Sequence, residues 1–182
     1  TTGEWTYALN NDSPETQALE EGQSVTESFI ARVTDDNGAY VDQTITVTIT
    51  GTNDVPVVTN NASDAADTAV EAGHNDDGST VDGTSSVNGT LSSSDFDTSA
   101  TSTWSIEGTP STTYGSINID ATTGAWTYTL DNDLSATQEL EEGQSVTESF
   151  IARVTDDNDA YVNQNITVTI TGTNDVPVVT NN

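Results

Sequence analysis

The chain has no cysteine, no methionine and no lysine. Without cysteine there is no disulfide and no thiolate chemistry. Arg32 and Arg153 are the only strong bases, set against 30 Asp+Glu, for a formal net charge of −28. So strongly acidic a chain repels the phosphate backbone, which excludes nucleic acid as a partner. The missing lysine also excludes Lys–Asn isopeptide cross-links. No hydrophobic run approaches the ~20 residues that cross a bilayer as a helix, so direct membrane insertion is not expected. There is no initiator methionine and no signal-peptide pattern, and the piece reads as cut from a longer chain. Hydrophobic residues make up 32% and aromatics 6%. Low apolar content with large like charge favours disorder unless something neutralises the carboxylates. Divalent cations, or the salt of a halophile, would do so.

What is present is a long internal repeat. Residues 1–61 align without gaps to 122–182, and ten positions differ, among them Glu4/Ala125, Pro14/Ser135, Gly38/Asp159 and Thr44/Asn165. Apolar positions agree: Trp5/Trp126, Tyr7/Tyr128, Leu9/Leu130, Phe29/Phe150 and Ile45/Ile166. The offset of 121 residues is the size of one sandwich domain. The expected organisation is therefore the C-terminal half of one repeat at 1–56 and a nearly complete second repeat at 57–182.

The period is two almost throughout, which predicts strands. Trp5, Tyr7 and Leu9 should point inward, as should Trp126, Tyr128 and Leu130. Val25 to Val33 and Tyr40 to Thr50 read as strands, the second with Ile45, Val47 and Ile49 inward and a column of threonines outward. Thr16 to Glu21 reads as one helical turn, and in the second copy Ser135 as its N-cap. Asp35-Asp36-Asn37-Gly38 reads as a hairpin turn with positive φ at both Asn37 and Gly38, less favoured in the second copy, where Asp159 replaces the glycine. Asn60 to Thr68 reads as a first strand or linker, and Gly73 to Gly83 as a mobile loop. Ser86 to Ser93, Ser102 to Glu107 and Ser116 to Asp120 complete about seven strands per repeat. That spacing predicts an all-β fold of tandem Greek-key sandwiches, with a barrel as the lesser alternative.

The octapeptide Gly51-Thr52-Asn53-Asp54-Val55-Pro56-Val57-Val58 recurs unchanged at Gly172 to Val179. Each copy ends an alternating strand. Asn53 and Asp54, with Asn174 and Asp175, offer oxygen ligands, and Pro56 stiffens the exit. The competing reading is that Asn-Asp-x-Pro is turn chemistry and its carboxylates are solvated.

Three motifs occur in order: Gly3-x-Trp5-Thr6-Tyr7-x-Leu9; Leu19-Glu20-Glu21-Gly22-Gln23-Ser24-Val25-Thr26-Glu27-Ser28-Phe29; and Thr48-Ile49-Thr50-Gly51-Thr52-Asn53-Asp54-x-Pro56. Together they resemble the VCBS repeat, a tandem module of large bacterial surface proteins that include RTX-type adhesins. The resemblance covers nearly all of both copies. It implies a calcium-dependent Ig-like or cadherin-like sandwich in an extracellular, cell-surface fibre. Asn53-Asp54-x-Pro56 also resembles the calcium linker of cadherins. That resemblance implies Asp95 and Asp97 as partners from the next module, Glu71 as the early acid serving the linker at Asp175, and Glu20 and Glu21 as further ligands. The RTX nonapeptide itself is absent.

Calcium takes six to eight oxygens at about 2.3–2.6 Å, more than a linker alone supplies. Residues from the exit of one repeat and the opening of the next would supply them and fix the angle of the joint. The second copy is expected to bind its cation more weakly, because no following repeat is present to complete it. Neighbouring repeats are the expected partners. Other copies in a filament are the alternative, through open strand edges of the half-repeat.

Other chemistry is weaker. Asp131, Asp133, Ser135 and Glu142 fall at EF-hand spacing, but Ala136 stands where the loop needs glycine. His74 lies in an acidic loop with no nucleophile elbow around any serine, so it reads as an exposed loop histidine and no enzyme is expected. Trp5, Trp104 and Trp126 read as core rather than as a glycan-binding face. The threonine column resembles the rows of ice-binding proteins, though threonine suits any wet strand face. Asn165-Ile166-Thr167 is a glycosylation sequon of little weight.

Overall fold

A computed structural model describes residues 2–110 and 113–176. It divides into two compact units, residues 1–54 with 95–100, and residues 55–94 with 101–182.

The first unit is built on one long hairpin, β1 (Ser24–Thr34) against β2 (Tyr40–Thr50), antiparallel and in register from Ser24↔Thr50 to Thr34↔Tyr40. A single helical turn, α1 (Pro14–Gln17), precedes it. Ser13 caps that turn by accepting from the Thr16 N–H, and Pro14 sits where a missing N–H costs nothing. Trp5, Tyr7 and Leu9 do not form the expected strand. They lie in extended chain without ladder partners, and Trp5 is 56% exposed. Phe29 and Val33 are likewise exposed, and of the three inward residues of β2 only Ile49 is buried. The period-two pattern is correct. What is missing is a second layer to cover the apolar face.

The second unit has that layer. Its strands are β3 (Val57–Val58), β4 (Ala66–Val70), β5 (Gly73–His74), β6 (Thr80–Val81), β7 (Ser86–Thr90), β8 (Ser93–Ser94), β9 (Ser102–Ile106), β10 (Gly115–Ile119), β11 (Ala125–Leu130), β12 (Ser145–Asp156) and β13 (Tyr161–Thr171). One sheet runs β10-β11-β7 and the other β4-β13-β12-β9. All these pairings are antiparallel except β4 on β13, which is parallel. This is a seven-stranded Ig-like β-sandwich in which the first long strand joins the β12–β13 sheet. The short β3 pairs instead with β8, just past β7, and a 3-10 turn at Ala62–Ala65 separates it from β4. The stretch read as a strand or linker from Asn60 thus begins with this turn, and the strand itself starts at Ala66.

Alternation along the strands fills the space between the sheets. Trp126, Tyr128 and Leu130 from β11 meet Phe150, Ala152 and Val154 from β12 and Ile166, Val168 and Ile170 from β13, with Trp104 and Val87 closing the cluster. The Tyr128 and Phe150 rings lie 5.9 Å apart at a tilt of 41°. The buried indole of Trp126 donates Nε1–H to the Asp64 carbonyl at 2.8 Å, satisfying its one polar atom. Tyr128 donates its hydroxyl to Glu148 Oε2 at 2.6 Å inside the core.

Three local expectations change. The turn α2 (Ser135–Gln138) has Leu134, not Ser135, at its N-cap and makes no side-chain capping bond. The loop Gly73 to Gly83 contains a small hairpin, β5 against β6, and His74 in it is half-buried rather than solvent-exposed. In the β1–β2 turn only Gly38 has positive φ (87°), and Asp35 closes the turn by accepting from the N–H groups of Asn37 and Ala39. Asp159 adopts the same left-handed geometry at φ 67° without glycine's freedom.

Candidate functional site

Asp54 closes the first copy of the octapeptide, and Asp95 and Asp97 lie about forty positions further along, yet all three belong to the first unit. Asp97 Oδ2 accepts from the Asp54 N–H at 2.8 Å. The Asp97 N–H in turn donates to Asp95 Oδ1 at 3.0 Å. Thr98 N–H binds the Ala18 carbonyl at the end of α1, which anchors the loop. The remaining oxygens, Asp95 Oδ2 and Asp97 Oδ1, are buried without a hydrogen-bond partner, and Asp97 is only 8% exposed. A buried carboxylate oxygen with no donor is costly unless a cation or proton compensates it. Burial, and then the neighbouring carboxylates of Asp97 and Asp95, push the Asp54 carboxyl above its ordinary range. Asn53 donates Nδ2–H to the Asp54 carbonyl at 2.8 Å.

The structure therefore brings together Asp54, Asp95 and Asp97, with Asn53 beside them. Glu20 and Glu21 are exposed, and neither lines the cleft of about 100 Å³ that Asp54 shares with Gln17, Leu19 and Thr52. Arg32 is engaged far along the hairpin, bidentate to Asp42 and stacked 3.8 Å over Tyr40.

The second copy repeats the arrangement on a larger scale. A groove of about 490 Å³ is lined by Asp76, Gln138, Leu140, Thr173, Asn174 and Asp175, together with Glu139, Glu141 and Glu142. Glu71 is fully buried near it, accepting from the Thr173 N–H at 2.9 Å and from Gln138 Nε2 at 3.1 Å. Burial raises its carboxyl, the Thr173 N–H partly offsets that, and the charge of Asp175 adds to it. Asn174 is held by two main-chain bonds to His74, at 2.8 and 2.9 Å, and Asp76 N–H donates to Glu142 at 2.7 Å. Glu71 thus does meet the linker at Asp175, and the counterparts of Glu20 and Glu21 do line this groove. Asp76 and Glu139 were not foreseen. Glu139 replaces Ala18 of the first copy, a difference visible in the repeat alignment.

Two other sets of residues act in turns. Asp35 and Asp156 each accept from the backbone of their hairpin loops. Asp131 and Asp133 form an Asx turn, with Asp133 N–H on Asp131 Oδ1. Trp104 and Trp126 are core, whereas Trp5 is not. Pro177 to Val179, which end the second octapeptide, lie outside the described residues.

Among the described residues no group of three or more acidic or histidine side chains is gathered closely enough to hold a metal as it stands. The donor chemistry nevertheless fits a hard cation: carboxylate and amide oxygens, two of them buried and unpartnered, with no base alongside.

No protein-family profile matches the sequence, and no curated protein matches it. Among solved structures, a Drosophila N-cadherin fragment of repeats EC1-4 is similar to this chain at 16% identity, with a TM-score of 0.47 over 86% of this chain. The match spans 35% of that cadherin chain. No helix among the described residues is long and apolar enough to cross a membrane.

Proposed function

We propose that the chain is a structural extender stretch of a long extracellular bacterial adhesin, in which calcium held at the linkers between repeats stiffens the joint. The observation that carries this reading is the Asp54–Asp95–Asp97 cluster. Three carboxylates from two distant segments meet there, and two of their oxygens are buried without a partner. With the ion absent, like charges crowd one another. Small rotations of the three side chains would aim them at a common cation, which neutralises them and ties the exit of one repeat to the opening loop of the next. The near-exact repeat, the VCBS-like motifs and the sandwich suit a module that works by repetition, without catalysis.

The test is a thermal melt of the whole chain with calcium and with a chelator, paired with small-angle scattering. Calcium should raise the melting temperature by linkage and lengthen the particle. An identical melt and an identical scattering profile in both conditions would sink the reading.

A second reading has one specific observation in its favour. The hairpin β1–β2 pairs with no other strand among the described residues, so both its edges are open. Strands supplied by other molecules would then build a filament by strand addition. Sedimentation showing concentration-dependent polymers would favour it, and a monomer at all concentrations would remove it.

A further inference from the structure

The open face of the first unit has an internal control in the second. Trp126, Tyr128, Phe150 and Ile166 are buried in the sandwich core, where β4 and β9 flank the β12–β13 hairpin and β7 and β10 flank β11. Their counterparts Trp5, Tyr7, Phe29 and Ile45 line an apolar hollow of about 180 Å³ that is open to solvent. The hollow is already shaped for an occupant. The Tyr7 and Phe29 rings stand 6.0 Å apart, against 5.9 Å for Tyr128 and Phe150. Both edges of the β1–β2 hairpin are free where β12 takes β9 and β13 takes β4.

One backbone angle says where the occupant connects. In the second copy Gly124 has φ +68° and ends the tight turn from β10 to β11, donating its N–H to the Asp120 carbonyl at 2.9 Å. Gly3, its counterpart, has φ +70°. A left-handed residue just ahead of Trp5 is the closing half of a β-turn. The chain there already has the conformation of a strand that has come round from a neighbour.

We propose that this face is the acceptor for a segment of the Val57–Asp120 kind, carried by the same polypeptide immediately ahead of Thr1 and turning into Trp5–Leu9 as β10 turns into β11. The occupant's chemistry follows from the second unit. It supplies inward apolar residues equivalent to Ala69, Val87, Leu91, Trp104 and Ile117, and two edge strands that pair with β1 and β2. A sugar or a lipid surface would satisfy neither the free backbone edges nor the turn. The inference rests on the repeat and does not depend on the calcium reading.

The experiment extends the whole chain by placing a copy of residues 57–121 ahead of Thr1, which recreates the Asp-Ala-Thr-Thr-Gly turn. Amide exchange is followed by mass spectrometry, with residues 126–130 as the folded reference in the same molecule. The expected result is that Trp5–Leu9 and both outer edges of the β1–β2 hairpin become protected to the level of their counterparts, in a monomer. A glycine-serine extension of equal length should leave them exchanging freely. Free exchange at Trp5–Leu9 in the 57–121 extension would overturn the proposal. So would concentration-dependent protection of Trp5–Leu9 in the unextended chain, which would assign the face to a second copy.

Discussion

The same run of sequence stands twice in this molecule, once under a second layer and once bare. Trp126 and Tyr128 are 0% exposed, while Trp5 is 56% exposed. The apolar residues are identical and so is the register of the β-hairpin that follows. The difference is supplied by residues 62–119, which cover the second copy. A period-two pattern therefore specifies which face is apolar, but burial belongs to the partner strands. The two arginines teach the same lesson. Arg32 pairs across its hairpin with Asp42 at 2.7 Å. In the second copy Asn163 replaces that aspartate, and Arg153 turns to Glu107 beside β9 at 2.9 Å while keeping Tyr161 under its guanidinium.

The strongest way to break the comparison is to remove the tryptophans one at a time. Trp126→Ala should cost the second unit about 3–5 kcal/mol, the usual penalty for an emptied core site. Trp5→Ala should change the stability of the first unit by less than about 0.5 kcal/mol, as at other exposed positions. Site-resolved amide exchange in urea separates the two units. Equal losses would show that the first copy is covered in solution.

A smaller loss is expected at the buried acid. Glu71→Ala leaves the Thr173 N–H and Gln138 Nε2 without their acceptor, a cost of about 1–3 kcal/mol. The exchange of the Thr173 and Asn174 amides should quicken most. The exposed pair in the first unit defines the low end. Arg32→Ala should shift the denaturation midpoint only slightly, and the shift should vanish in high salt. Chemical denaturation at two ionic strengths measures it.

Acidity sharpens the comparison of the two cation sites. The carboxyls of Asp54 and Glu71 are raised in the folded state, so their ionised forms oppose folding. Their contribution is most favourable at low pH and is lost as pH rises through their raised values. In chelator, melting temperature should therefore climb as pH falls towards the upper carboxylate range. In saturating calcium that climb should vanish or reverse, because the ion requires the ionised forms. Melts at stepped pH with and without calcium measure this, and parallel curves would argue against a shared cation.

Much of the sandwich was legible beforehand. β2 runs from Tyr40 to Thr50 as alternation predicts, and β7, β9 and β10 begin within a residue of their expected places. The helical turn starts two residues ahead of the expected position, because Ser13 caps it and Pro14 opens it, a signal that the adjoining turn cluster hides. The β5–β6 hairpin was invisible, since Gly73 to Ser79 carries no alternation and is held by backbone bonds of its own and by those of Asn174. Asp54, Asp95 and Asp97 could be paired only by resemblance. Nothing in the spacing of 54 and 97 says that their backbones meet, and the burial of Asp97 depends on the Thr98 anchor to Ala18.

The most direct test of the central claim is the anomalous scattering from crystals of the whole chain grown with terbium in place of calcium. A peak within about 2.3–2.6 Å of carboxylate oxygens from Asp54, Asp95 and Asp97 together is the predicted result. Ordered carboxylates at that cluster with no peak among them, while terbium occupies other acidic sites, would contradict it.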